Sequence, residues 1–215
     1  CASGMVMYDP EYLRLARTLC DRYGVHLIAD EIAVGCGRTG TFFACEQAGI
    51  WPDFLCLSKG ISGRYLPLSL VLSTDAVYTA LYDDSAARGF LHSHSYTGNP
   101  LACRAALATL DIFERDDVIA ANRSRANELG DALRARVGAH PAVRHLRQRG
   151  MIVAFDVASE RPDFAQRFFR AGLDHGVLLR PIGNTVYFMP PYVIDTAEIT
   201  HLADGATAAL SLAVG

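Results

Sequence analysis

Lysine is almost absent from this 215-residue chain: of 20 basic side chains, 19 are arginine and only Lys59 is lysine. Long apolar runs are missing as well. Stretches such as Leu66–Ser73 fall far short of the roughly 20 residues that a membrane-spanning helix needs, and the opening residues do not read as a signal peptide. No basic block occurs and the formal net charge is −3, which argues against nucleic acid or an anionic membrane as partner. The cysteines at 1, 20, 36, 45, 56 and 103 form no CxxC or Cys/His spacing, so no metal site and no disulfide framework is expected, and a reducing cytoplasm suits them. The sequence opens at Cys1 rather than Met, as a fragment does. What is present, 51% apolar and 20% charged residues, describes a globular chain of one or two domains with a sizeable core.

The first half alternates helix and strand. Asp9 to Tyr23 reads as a helix stopped by Gly24, followed by the apolar run Val25–Ala29, which ends at Asp30. Further runs, Phe54–Leu57 and Leu68–Leu72, end at Ser58-Lys59 and Ser73-Thr74, and a short helix follows near Ala76–Tyr82. Such continuous apolar runs predict parallel strands buried on both faces, in an α/β sheet with ligands gathered beyond the carboxyl ends. Gly98-Asn99-Pro100 opens a long helix reaching about Glu114, and a second covers Val118–Val137. From about His140 the pattern changes to strands at Val143–Leu146, Met151–Val157, Val177–Leu179 and Val186–Met189, with helices at Asp163–His175 and Asp195–Leu212. This predicts a smaller α+β domain, with the boundary near 115–140.

Arginine-for-lysine bias has a bland source in GC-rich coding, but it leaves Lys59 in an apolar Leu55–Gly60 stretch, where a charge is costly. Guanidinium stays protonated, so arginine cannot replace a nucleophilic amine. Asp30 lies 29 residues earlier, also at the end of an apolar strand. An aspartate there can simply cap the next turn. Paired with a strand-end lysine, it also matches the two groups that pyridoxal phosphate requires: an amine for the aldehyde and a carboxylate for the ring nitrogen.

The text Asp30-Glu31-Ile32-Ala33-Val34-Gly35-Cys36-Gly37-Arg38-Thr39-Gly40, with Pro52-Asp53, Ser58-Lys59-Gly60 and Gly98-Asn99-Pro100-Leu101-Ala102, resembles the class III (fold type I) aminotransferases over essentially the whole chain. The resemblance implies a fold type I, pyridoxal phosphate-dependent α/β fold. Residues 1–115 would belong to the large cofactor domain, 116–140 to a connecting helix and 141–215 to a small C-terminal α+β domain. It also implies that the family's N-terminal half is missing, with its phosphate loop, its ring-stacking aromatic and much of the substrate pocket. Within the family, Phe43-Ala44-Cys45-Glu46, Leu91-His92-Ser93 and Arg180-Pro181 with Tyr187–Tyr192 point to the branch that moves an amino group from S-adenosylmethionine to 8-amino-7-oxononanoate.

By that resemblance Lys59 is catalytic and bonds the cofactor, Asp30 meets its ring nitrogen, and Ile32 packs on one ring face. Ile32 as an ordinary core residue is equally consistent with the sequence. His94 and Ser95 would bind the phosphate across a homodimer with shared active sites, Ser95 standing where threonine is usual and His94 acting through its backbone. Ser93 would lie near substrate; alone, residues 92–95 read as a solvated polar loop. Arg180 would bind the substrate carboxylate, a role its bidentate fork suits better than lysine, with Tyr187 beside it. Without the family, Arg180 reads as a surface ion-pair partner and Tyr187 as core. Arg64 stands where a glycine is expected, which predicts strain after Lys59. The rival readings are another ω-aminotransferase acting on a diamine or ω-amino acid, and an inactive remnant. Gly35-x-Gly37-x-x-Gly40 also fits a dinucleotide fingerprint, but no helix opens after it and no acidic residue ends the next strand. No Gly-x-Ser-x-Gly elbow supports a serine hydrolase.

Overall fold

The ends of the first helix explain its position. Asp9 accepts a hydrogen bond from the Glu11 N–H at 2.9 Å, Pro10 fills the first turn, and Gly24 closes the helix at φ +61°. In the computed structural model, which describes residues 4–215, this is α1 (Pro10–Tyr23). It is followed by β1 (Ile28–Asp30), β2 (Phe54–Leu57), β3 (Leu70–Ser73), α2 (Asp75–Leu81) and α3 (Pro100–Arg115). Then come α4 (Val118–Val137), β4 (Val143–Arg149), β5 (Ile152–Val157), α5 (Phe164–Asp174), β6 (Thr185–Phe188) and α6 (Thr196–Val214). Two compact units result: Tyr8–Val118, and Ile119–Gly215 with residues 4–7. Cys1 lies outside the described residues. No described helix is long and apolar enough to cross a membrane.

In the first unit, β1 pairs parallel with β2, placing Asp30 opposite Cys56, and β2 pairs antiparallel with β3. The expectation of parallel strands throughout therefore fails at β3. Residues 58–69 hold only a 3₁₀ turn (Lys59–Ser62) and no crossover helix, so the chain returns alongside β2 in the opposite direction. Two-sided burial fails as well. Ile28 is 63% and Val71 65% exposed, because nothing among the described residues covers those faces. The strand read from Val25 starts only at Ile28. Leu55, Leu57, Cys36, Ile61, Ala102 and Ala106 are buried, and Phe42 meets Phe113 edge-to-face at 5.3 Å. Arg17 ties α1 to the entry of β2: its Nη1 lies 2.7 Å from Asp53 Oδ2, which also accepts from the Leu27 N–H at 2.7 Å.

In the second unit, β5 lies between β4 and β6, antiparallel to both. Val153 and Phe155 on β5 pack with Leu129, Leu133 and Val137 of α4, Phe164 and Phe168 of α5, and Ala203, Ala206 and Leu210 of α6. The helix expected as a connection over 116–140 thus supplies core side chains. Val177–Leu179, expected as a strand, is not one. Its Val177 N–H bonds back to the Gly172 carbonyl at 2.9 Å, closing the end of α5, and its side chain lies so near Gly205 that a Cβ there would meet it at 2.8 Å. Asp156 on β5 accepts from both Arg147 amino groups, at 3.0 and 3.1 Å, and from the Thr185 hydroxyl at 2.9 Å. Arg147 Nε also reaches the Met5 carbonyl at 2.9 Å, which anchors the leading segment.

Candidate active site

The parallel pairing of β1 and β2 brings two strand ends side by side. The ladder continues one residue past Asp30, where the Glu31 N–H donates to the Cys56 carbonyl at 3.0 Å, and Lys59 follows three residues after Cys56. Asp30 then turns the chain, its Oδ1 accepting from the Ile32 N–H at 3.0 Å. This bond leaves Oδ2 uncommitted. Among the described residues Asp30 has no cationic partner, and Lys59 makes neither an ion pair nor a side-chain hydrogen bond. Both are exposed and Ile32 beside them is half-buried. One bare amine and one bare carboxylate at neighbouring strand ends, flanked by an apolar side chain, suit a ligand that needs both.

The backbone holds the lysine in an uncommon way. Ser58 is extended and its hydroxyl donates to the Leu68 carbonyl at 2.7 Å, while Lys59 adopts φ +49° and opens the 3₁₀ turn. A side chain in this left-handed region costs about 1–2 kcal/mol, so the surrounding contacts must hold it there. They come from the loop that leaves Asp30: a Cβ at Gly60 would stand 2.8 Å from the Cys36 Cβ. Glycine at 60 therefore lets the loop after Asp30 press directly on the turn carrying Lys59. Arg64 completes the turn at φ +65°, also left-handed, which accords with the strain expected there.

Glu31 was missed as a functional residue at the level of sequence. Its side chain is 4% exposed and accepts from the Ala44 N–H at 2.6 Å and the Cys45 N–H at 2.8 Å, at the start of the 3₁₀ turn Ala44–Ala48. The only advance signal was an acidic residue placed directly behind Asp30. Nearby thiols are inert by environment. Burial, and then the Glu31 charge, push Cys36 up to about 11 and Cys45 up to about 12, so neither is a thiolate at neutral pH. Among the described residues no group of three metal-ligating side chains occurs.

The remaining expected residues divide between the units. Ser93, His94 and Ser95 lie in an exposed loop of the same unit as Lys59. That loop is knotted on itself: the His94 N–H donates to the Thr97 hydroxyl at 3.0 Å, and His94 Nδ1 accepts from the Tyr96 N–H at 3.2 Å. The His94 backbone donor expected to serve a phosphate is thus in use, while Ser95 has no described hydrogen bond. Arg180 and Tyr187 belong to the other unit. Arg180 is exposed after buried Leu179. Tyr187 alternates with buried Val186 and Phe188 along β6, so it faces away from their core.

A lysine amine and a carboxylate beyond the carboxyl ends of two parallel strands lie where α/β folds gather their ligands, and an amine of this kind is the group that carbonyl chemistry uses. The chain belongs to the class-III aminotransferase family, whose model matches residues 1–210. It is 47% identical over 213 residues to the adenosylmethionine-8-amino-7-oxononanoate aminotransferase of Helicobacter pylori, covering 95% of this chain and 48% of that one. The enzyme of the same name from Geobacter sulfurreducens is 41% identical, with 95% and 47% covered. The chain thus spans about half the length of the curated relatives it matches. Among solved structures, that enzyme from Methanocaldococcus jannaschii superposes with a TM-score of 0.89 at 34% identity, covering 97% of this chain and 50% of its own. An amine transaminase from an uncultivated Pseudomonas species, solved in its PLP-bound form, gives 0.90 at 31% identity, with 100% and 50% covered.

Proposed function

We propose that this chain is part of a pyridoxal phosphate-dependent aminotransferase that moves an amino group from S-adenosylmethionine to 8-amino-7-oxononanoate, giving 7,8-diaminononanoate on the way to biotin. The observation that carries the reading is the pairing of β1 with β2, which sets the Asp30 carboxylate, without a cationic partner among the described residues, and the only lysine of this sequence on adjacent strand ends. The donor set fits the cofactor, since an amine and an anion are the groups it requires, the amine has no described side-chain bond and the carboxylate keeps Oδ2 open. When bound, pyridoxal phosphate supplies an electron sink for the pair released as a substrate carbon loses its proton.

The Asp30 carboxylate would accept a hydrogen bond from the ring nitrogen and so favour its protonated form, a charge-assisted contact of about 1.5–3 kcal/mol. Lys59, the one primary amine side chain at these strand ends, would hold the cofactor through its aldehyde. Once free of the aldehyde, its Nζ would serve as the base for the substrate carbon's proton, a role a guanidinium cannot fill. Ile32 shields one face from water, which strengthens the charges around it. Ser95 serves the phosphate from the partner in a homodimer, the His94 N–H joining it only by exchanging its bond to the Thr97 hydroxyl, and Ser93 borders the substrate. Arg180 binds the acceptor's carboxylate, with Tyr187 in support. The free thiols at 20, 36, 45, 56 and 103 accord with a cytoplasmic enzyme.

The test uses the protein at full length, mixed with pyridoxal phosphate. A visible absorbance band is expected, and it should be missing from Lys59→Ala. Adding S-adenosylmethionine should then convert the bound cofactor to its amine form. Conversion by β-alanine or ornithine but not by S-adenosylmethionine would move the chain to another ω-aminotransferase branch, and a band that survives Lys59→Ala would end the assignment of Lys59.

A further inference from the structure

β1 is only three residues long and Asp30 is its last. A strand end of that length frays unless something holds the residue after it. Glu31 is held from three sides. Its N–H closes the ladder onto the Cys56 carbonyl at 3.0 Å, and its carbonyl accepts from the Gly35 N–H at 2.9 Å, closing the turn that follows. Its buried carboxylate accepts the Ala44 and Cys45 N–H groups at 2.6 and 2.8 Å. The same loop carries Cys36 onto Gly60, next to Lys59.

We propose that Glu31 is a positioning residue: its side chain pins the strand end to the start of the Ala44–Ala48 turn, and so fixes the direction of the Asp30 carboxylate. This inference rests on the assignment of Asp30 to the ring nitrogen. Among the described residues the exposed Asp30 side chain makes one hydrogen bond, accepting from the Ile32 N–H, too little to hold its orientation. Glu31 supplies rigidity from behind, without touching substrate or cofactor. Glutamine at 31 keeps one acceptor oxygen but turns an NH₂ group toward one of two N–H donors, so one contact becomes a repulsion.

The experiment compares four full-length holoenzymes: wild type, Asp30→Asn, Glu31→Gln and Glu46→Gln. Glu46 accepts from the Phe43 N–H at 2.9 Å and caps the same 3₁₀ turn without touching Asp30's neighbour, so it reports on a merely structural loss. The readouts are the pH midpoint of the bound cofactor's visible band and the split between kcat and KM. Glu31→Gln is expected to move the midpoint in the same direction as Asp30→Asn, to lower kcat at least tenfold and to leave KM within twofold, while Glu46→Gln keeps the wild-type midpoint. A Glu31→Gln midpoint equal to that of wild type, or a shift shared equally by Glu46→Gln, overturns the proposal. Should Glu31→Gln not yield folded holoenzyme, Glu31→Asp is measured instead. It keeps the charge but is one methylene too short to reach both N–H groups, and an unshifted midpoint there is equally fatal. If Asp30→Asn itself leaves the midpoint unmoved, the assignment of Asp30 fails and this inference falls with it; if Asp30→Asn shifts and Glu31→Gln does not, only the inference falls.

Discussion

Asp53→Asn isolates the charge that joins α1 to the entry of the site-bearing strands. The Leu27 N–H at 2.7 Å is the larger influence on this carboxyl and the Arg17 guanidinium at 2.7 Å the next, and they hold it at about 2 against an ordinary 3.8. At 1.36 kcal/mol per pH unit that gap corresponds to about 2.4 kcal/mol of folding stability. The Asp53 side chain is 22% exposed, so solvent screening brings the figure to about 1–2 kcal/mol. The sign follows from the depressed value. The stabilisation is complete above about pH 4, where the unfolded carboxyl is also ionised, and it disappears as pH falls toward 2. Asparagine keeps an acceptor for Leu27 and removes only the charge. Urea unfolding of the purified protein at pH 7 should therefore show Asp53→Asn less stable by about 1–2 kcal/mol, with roughly half of that difference left at pH 3. No difference at pH 7, or one as large at pH 3, would refute the reasoning.

Other predictions test the turn, the substrate side and the thiols. Arg64→Gly relieves a left-handed residue at φ +65° but loosens the unfolded chain, so a net gain of about 0.5–1 kcal/mol in urea unfolding is expected; a loss would mean that the arginine side chain stabilises the turn. Arg180→Ala should raise KM for the carboxylate-bearing acceptor by about ten- to a hundredfold with kcat nearly unchanged, the loss of one charge-assisted pair; steady-state kinetics with an unchanged KM removes Arg180 from the substrate site. Cys36 and Cys45, held near 11 and 12 by burial and by Glu31, should escape iodoacetamide in the native protein at pH 8. Mass mapping that finds either alkylated as fast as in urea would contradict that environment.

Helix positions were legible because their causes are local. Asp9 with Pro10 and Gly24 bracket α1, Asn99 accepts from Leu101 and Ala102 at the start of α3, and Asp195 with Glu198 forms the capping box of α6. Each signal acts within four residues, so the chain carries it whatever lies elsewhere. Asp30 and Lys59 could be read for a related reason: both end apolar runs, and one is the sole amine side chain.

Where a group's partner is distant in the chain, only the folded structure decided. Val177–Leu179 has the composition of a strand, but Val177 packs its side chain against Gly205 of α6. The direction of β3 depends on how residues 58–69 return, and the exposure of Ile28 on what covers β1. Nothing near Glu31 in the sequence names its partners, the Ala44 and Cys45 N–H groups that the fold brings to it. The order of residues determined which groups could react and where helices begin and stop, since backbone preference and capping are near-neighbour effects. Tertiary structure decided which strand lies beside which and which polar group each buried atom meets, because those bonds join residues whose separation along the chain carries no preference of its own.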